Sequence, residues 1–444
     1  MTNQKIRQIL CAYRSSQTYT QTVYEHLSSF STYSKNEWSY VDLSYLNDDL
    51  LDFNSFDVIV IHYSIRLPFG QINPKLITKL HRSNVLKVLF IQDEYDNTNF
   101  TKRVISQAGI DLVFTVVPLK SISYVYPKHE FPFTRFVNNL TGYVPESLSE
   151  LVTSLNPPSQ RECFIKYRAR ELPIRYGLLG QEKINIGRDV KAYCRKLGIK
   201  NDIDWTEESR IYGLKWYEFI SLGRAMLGSE SGSNVFDWDG SLQSKIDRFK
   251  NKNKKLHDQD VYDSIVKPCE IDGLMNQISP RIFEMAAAKT VMVLYEGKYS
   301  DVLIPWRHYL PLKKDLSNIE EIFVILKDGL KIDSMVDQVY EDLILSNKYS
   351  YRQFVFKVDA EIEKSSQEIE SRLSLPLDFR HSRSKVGVTI LSYKNELNKL
   401  SVRKAPIQVV LSFRGKFYTR LIYSIWQYLP SPVKKIVKKI LRRY

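Results

Sequence analysis

The stretch QISPRIFEMAAAKTVMVLYEG, Gln277–Gly297, holds a helix, a strand and the signals that separate them. Ser279 is a good N-cap, because its hydroxyl can accept from a backbone N–H left unpaired at a helix start. Pro280 suits the first helical position, where no N–H is needed. Ile282, Phe283, Met285 and the Ala286–Ala288 run then make a compact apolar helix with small residues for close packing. Thr290–Leu294 is short, apolar and rich in β-branched residues, which predicts a buried strand. Glu296-Gly297 closes it as a turn. A helix N-terminus beside a strand of an α/β sheet is an anion site. Glu284, just over one turn in, can accept two hydroxyl hydrogen bonds from a sugar ring.

Upstream, residues 1–145 read as a first α/β unit. Ile6–Ala12 is a strand, followed by a polar turn and a helix over Gln21–Phe30. Phe56–His62 (FDVIVIH) is a buried strand, Leu76–His81 belongs to a helix, Val85–Gln92 (VLKVLFIQ) is a third strand and Leu112–Val117 a fourth. Short apolar strands alternating with helices imply a parallel, doubly wound sheet. Val144–Glu162, centred on Pro157-Pro158-Ser159, reads as a connection to a second unit. There Cys163–Arg170 starts the sheet, Asp189–Leu197 is a helix, Arg210–Arg224 is a loop entering an amphipathic helix, and Ala225–Gly228 is a strand. Residues 241–275 are charged and polar and read as a surface insertion. A helix precedes Gly329, read as its stop. The reading is α/β, with domains at 1–145 and 163–330, a linker at 146–162, a helical return at 331–400 and a basic tail at 401–444.

Ligands of such sheets bind beyond the carboxyl ends of the strands. That singles out Tyr13-Arg14-Ser15-Ser16, His62-Tyr63-Ser64 and Gln92-Asp93-Glu94-Tyr95. Asp93 and Glu94, then His62, are the candidate general bases, since Asp, Glu or His can take a proton from an attacking hydroxyl. No glycine-rich turn follows the first strand, so the dinucleotide fingerprint is absent and an NAD enzyme is disfavoured.

The 277–297 pattern resembles the nucleotide-sugar site of GT-B glycosyltransferases, in particular bacterial surface-polysaccharide enzymes of group 1 type. The resemblance covers about residues 1–330 and continues through Gly297–Asp301 and Trp306–Asn318. It implies two Rossmann-like domains facing each other across a cleft, a Glu on the donor ribose (Glu284) and neighbouring Ser279 and Arg281 at the diphosphate. Glu171–Gly187 and the strand before it resemble the region where the family places its cations, which implies diphosphate roles for Arg168, Arg170, Arg175 and Lys183. A departing nucleoside diphosphate develops negative charge that fixed cations stabilise. The small-residue loop Ser229–Asn234 sits where the donor sugar is held, which implies sugar contacts for Glu230, Ser231, Gly232 and Ser233. The large retaining GT-B family carries two Glu separated by seven residues; the earlier position here is Asn276, so retaining or inverting chemistry stays open. Asp237-Trp238-Asp239 raises the rival GT-A reading, in which two carboxylates hold a divalent ion; its place deep in the second unit counts against that.

Charge is unevenly spread. The net charge is +14, and residues 401–444 hold eleven Lys or Arg with no Asp or Glu, so 14 − 11 leaves +3 for the first 400 residues. The main body is therefore nearly neutral and does not resemble a nucleic-acid-binding surface. In the tail, Val433, Ile436, Val437, Ile440 and Leu441 fall on one helical face and six Lys or Arg on the other, with aromatics upstream. Residues 413–444 thus suit an anionic membrane surface. No run is long and apolar enough for a transmembrane helix, and no signal peptide is read at the N-terminus. Four scattered cysteines fit reduced thiols in the cytoplasm. The expectation is a cytoplasmic, membrane-peripheral glycosyltransferase that moves a sugar from a nucleotide-sugar donor to a glycan or lipid-linked acceptor in bacterial cell-envelope polysaccharide biosynthesis. It would need no metal, because basic residues and helix amides can neutralise the diphosphate. The alternatives are a catalytically inactive GT-B-like binding module and a membrane-surface scaffold.

Overall fold

The computed structural model describes residues 5–17, 20–44, 53–149, 155–252 and 257–373. The basic tail, and the membrane reading attached to it, lie outside the described residues. Two sheets organise the chain. The first contains β1 (Gln8–Tyr13), β2 (Glu37–Asp42), β3 (Val58–Ile61), β4 (Leu86–Ile91), β5 (Leu112–Thr115) and β6 (Arg135–Asn138), in the order β2-β1-β3-β4-β5-β6. The second contains β7 (Cys163–Arg168), β8 (Asn201–Asp204), β9 (Gly223–Gly228), β10 (Val291–Tyr295) and β11 (Leu310–Leu312), in the order β11-β10-β9-β7-β8. The pairings from β1 through β6 and throughout the second sheet are parallel. Parallel strands need covered faces, and β3, β4 and β10 are accordingly buried along their whole length.

Alternate residues of the second sheet sort onto its two faces, as strand geometry requires. Ala225, Leu227, Val291 and Val293 join the core beneath helices Gly177–Lys196 and Ile319–Lys327. Met226, Met292 and Leu294 join the opposite core, with Ile282, Phe283 and Met285 of helix Arg281–Ala287. The last described helix, Tyr351–Leu373, packs back on the first sheet at β4 and on helix Gln21–Tyr33. Asp359 accepts from the Ser34 hydroxyl at 2.8 Å, the Lys35 N–H at 3.1 Å and the Asn36 amide at 2.9 Å. Phe354 of that helix meets the rings of His26 and Tyr143 at 4.9 and 4.5 Å.

Several local expectations are corrected. Helix Gly177–Lys196 begins twelve residues before the expected Asp189, within the Glu171–Gly187 segment to which no helix was assigned. Gly187 is there for contact: a Cβ would lie 2.9 Å from the Tyr167 ring, so the helix can approach β7 only without one. Gly329 does not stop a helix. It starts one, with the Asp328 side chain accepting from the Lys331 N–H. The 241–275 segment is more than a polar insertion, since Val235, Leu242, Ile246, Val261, Tyr262 and Val266 form a core cluster of their own. The Pro157-Pro158 connection is pinned down by Arg161, whose buried guanidinium donates to the carbonyls of Asn156, Gly223 and Ala288 and to the Thr290 hydroxyl.

Candidate active site

At the carboxyl end of the second sheet a cavity of about 290 Å³ opens, where open α/β sheets place their ligands. Tyr167, Ala169 and Arg170 reach it from the end of β7, Lys183 from helix Gly177–Lys196, Ser229 and Ser231 from the loop after β9, and Ser279 and Arg281 from the start of helix Arg281–Ala287. That helix starts close to where its sequence reads, with Pro280 at helical dihedrals and the Ser279 carbonyl accepting from the Ile282 N–H at 3.0 Å, but the expected Ser279 hydroxyl cap is not formed. No side-chain bond caps it.

The lining holds three cations and no carboxylate. Arg281 is fixed, donating to the Arg168 carbonyl at 2.8 Å and lying 5.0 Å from the Trp216 ring centroid. Arg170 is exposed. Burial, with the Arg281 charge beside it, lowers the Lys183 ammonium to about 8, while Asp93 pushes it back up. Among the described residues Lys183 makes no side-chain hydrogen bond or ion pair. A half-buried ammonium in a cation-lined, carboxylate-free cavity is poised for an anion.

The other residues expected at the donor are placed elsewhere. Arg168 donates to the carbonyls of Ser209, Tyr167 and Asp202 and to the Asp202 carboxylate at 2.6 Å, and lies over Phe219, so it ties β7 to β8. Arg175 pairs with Asp96 of the first domain at 2.6 Å, and Tyr176 donates to the same carboxylate at 3.1 Å. Buried Glu230 accepts from the Tyr299 N–H at 2.7 Å and from the Asn276 amide at 2.5 Å. Ser233 is fully buried and donates to the Tyr176 and Val235 carbonyls. Glu284 does not line this cavity; it accepts from the Trp216 indole N–H at 2.7 Å. Burial raises its carboxyl, against the Trp216 hydrogen bond and the Arg281 charge, which favour ionisation. Asp237 and Asp239 accept from the N–H groups of Leu242 and Ser241 at the start of helix Leu242–Lys252, a capping role.

Gly232 is required by the backbone itself. Its φ of +98° favours glycine, and an added Cβ would lie 2.0 Å from the Met275 carbonyl oxygen. The same loop holds the paired N–H and carbonyl groups of Ser231 and Gln277, at 2.7 and 2.8 Å. Gly232→Ala is expected to cost about 1–3 kcal/mol of stability in urea unfolding; an unchanged midpoint would mean that the loop relaxes around the methyl group.

The three candidate bases have different settings. His62 is fully buried, with Nδ1 accepting from the Ser64 N–H at 3.1 Å and Nε2 3.0 Å from His26 Nδ1. Burial, and then the neighbouring His26, lower its pKa well below the usual range. Glu94 is also fully buried, accepts from the Thr115 hydroxyl, and leaves Oε2 without a partner; burial raises it to about 8. Asp93 is half-buried just past the end of β4, in left-handed backbone at φ +61°. Its carboxylate accepts from the Tyr95 hydroxyl at 2.7 Å and from Arg66 at 3.4 Å.

The sequence reading passed over Asp96, Tyr176 and Glu25. Asp96 and its loop are sewn to the second domain. Besides the Arg175 pair, Asp237 N–H donates to the Tyr95 carbonyl and Asn99 N–H to the Trp238 carbonyl, both at 2.8 Å. Glu25 is raised to about 7, first by burial and also by the charge of Glu284. None of the three carries a local motif that would have marked it.

No family model matches the chain, and no curated protein matches it. Among solved structures, it is similar to an α-glucosyltransferase in complex with UDP-glucose and DNA containing an abasic site, with a TM-score of 0.50 and 11% identity over 81% of this chain and all of that one. An α-glucosyltransferase structure with UDP and a 13-mer DNA containing a HMU base gives 0.49 and 10% over the same shares. At 11% identity, this likeness shows the fold alone: two parallel α/β sheets in the GT-B arrangement.

Proposed function

We propose that this chain is a GT-B glycosyltransferase that moves a sugar from a nucleotide-sugar donor to a glycan or lipid-linked acceptor in bacterial cell-envelope polysaccharide synthesis. The observation that carries this reading is the cavity at the end of β7 and β9, with Lys183, which has no partner among the described residues, beside Arg170 and Arg281 and no carboxylate in the lining. In this reading the donor diphosphate lies against these cations and the hydroxyls of Ser229, Ser231 and Ser279. As the glycosidic bond breaks, charge gathers on the departing diphosphate, and preplaced cations stabilise it more than the ground state. Asp93 takes the proton from the acceptor hydroxyl. No resident cofactor or metal has a part in this scheme. The enzyme works in the cytoplasm at the inner face of the membrane, with residues 413–444 as its anchor; no nucleic acid is involved.

The test is a thermal-shift series with UDP, GDP, CDP and TDP, with and without magnesium. A ligand that binds only the folded state stabilises it by about 2.7 kcal/mol at one hundred times its Kd. A magnesium-independent shift with one nucleotide is expected. No shift with any of them would sink the reading. A second reading has its own support: His62 and Glu94 are both sealed in the core, which fits a binding module without catalysis. Nucleotide binding with no release of donor sugar, to acceptor or to water, would favour it.

A further inference from the structure

The first domain carries another concave surface, which shares no residue with the cation-lined cavity. A groove of about 520 Å³ runs between the segment 119–136 and the helix Tyr351–Leu373, with Leu119, Ile122, Phe131 and Phe133 in its walls and Lys128 at its side. Two of those apolar walls face water: Leu119 is 76% exposed and Phe133 is 73% exposed. Tyr124 on the same segment is 54% exposed. Large apolar side chains clustered in this way on a surface mark an interaction site.

Charge narrows the partner. From Leu119 to Phe133 the one carboxylate is Glu130, and Lys102 holds it at 2.8 Å. Arg135, also in the groove, faces two carboxylates, Glu361 at 2.8 Å and Glu368 at 3.8 Å, so one surplus negative charge sits at the helix side of the groove, away from Lys120 and Lys128 in sequence. Lys120 and Lys128 are exposed and, among the described residues, pair with no carboxylate. The surface therefore combines projecting apolar tips with unneutralised ammonium groups. An enclosed site for a small apolar ligand would bury most of its walls, whereas these project. A two-fold pairing with a second copy would set the same lysines against each other. A bilayer with anionic headgroups satisfies both features, since acyl chains take the apolar tips and phosphates take the lysines.

We propose that the 119–133 segment is a bilayer-docking surface, with Leu119 and Phe133 entering the acyl region of an anionic membrane and Lys120 and Lys128 meeting its headgroups. This surface is distinct from the 413–444 segment and does not depend on the sugar-transfer reading.

The experiment uses the full chain and vesicles of phosphatidylcholine and phosphatidylglycerol in equal parts. A Leu119→Glu/Phe133→Glu variant is expected to lose roughly tenfold or more of its vesicle affinity, as removing one well-buried apolar side chain already does. Lys120→Glu/Lys128→Glu is expected to lose affinity at low salt and little at high salt. A Phe133→Trp chain reports position directly: vesicles with brominated acyl chains should quench its added fluorescence over wild type. Because these side chains are exposed, the variants should melt like wild type and keep any nucleotide-induced thermal shift, which separates this test from that of the donor site. Unchanged affinity of the double Glu variant, or an added Trp that brominated lipid does not quench, would overturn the proposal. So would a dimer in solution that the double Glu variant dissociates.

Discussion

Lys183→Ala is expected to weaken nucleoside-diphosphate binding roughly 10- to 150-fold, the equivalent of about 1.5–3 kcal/mol for a hydrogen bond to a charged group. The expectation rests on three features of this ammonium. It lines the cavity, it has no carboxylate partner among the described residues, and burial together with Arg281 holds it near 8. The last feature sets a pH dependence with a definite sign. A lysine with a lowered pKa carries its charge below about 8 and loses it above. Wild-type affinity for the diphosphate should therefore fall as pH rises through about 8. Lys183→Arg keeps its charge throughout that range, so its affinity should be flatter with pH, even if lower overall. Calorimetric titration of the three proteins between about pH 6.5 and 9.5 checks this. The same pH dependence in Lys183→Arg and Lys183→Ala would assign the titration to another group.

Stability should move the other way. In the unliganded protein, burying an unpaired ammonium opposes folding. Its folded pKa lies below its unfolded one, so the unfolded chain binds the extra proton between about 8 and 10.5, and stability rises with pH across that window. Lys183→Ala should thus lose affinity without losing melting temperature, and its stability should lose that slope. A residue placed for packing would show the opposite pattern, lower stability with unchanged affinity. This contrast is what distinguishes a binding residue from a structural one in the same helix.

The central strands were legible in the sequence and the edges were not, for one physical reason. β1, β3, β4, β5, β7, β9 and β10 have neighbours on both sides, and their apolar runs advertise it. The four strands with no counterpart in the sequence reading, β2, β6, β8 and β11, are the four edges of the two sheets. β2, β6 and β8 are only partly buried. β11 is buried but only three residues long, with Pro311 at its centre, which an edge strand tolerates because it need not donate on both sides. Glycine misled in the opposite sense: Gly180 and Gly187 look like loop punctuation, yet they let a helix approach its neighbours.

The site divides along a similar line. That cations gather between Arg168 and Lys183 was readable from residue type. Which of them faces the cavity was not, because it is decided by carboxylates remote in sequence. Asp202, 34 residues on, takes Arg168, and Asp96, 79 residues back, takes Arg175. Arg170 and Lys183 are left to line the cavity, with Arg281. Likewise Asp93, Glu94 and His62 all sit beyond strand ends, as chemistry would require, but only burial separates them.

That separation yields the prediction with the largest effect. Asp93→Asn is expected to lower turnover by about 10²- to 10⁴-fold, the usual contribution of a general base, while leaving donor affinity within about twofold. Asn is the informative replacement, because it tolerates the left-handed backbone that Asp93 adopts. It also keeps an oxygen to accept from Tyr95, and what it removes is the proton acceptor. Glu94→Gln serves as the paired control. With Glu94 raised to about 8 and sealed beside Thr115, its carboxyl is already neutral at pH 7, and Gln reproduces its shape. Turnover should survive. Because the folded-state pKa of Glu94 lies above its unfolded value of about 4.5, wild type should lose stability as pH rises between those values; Glu94→Gln should reduce that slope. Sugar release from the donor, followed for both variants across pH 5–8 beside their unfolding midpoints, resolves the assignment. Full turnover in Asp93→Asn would move the base off this loop, since Glu94, its neighbour there, is fully buried, as is His62.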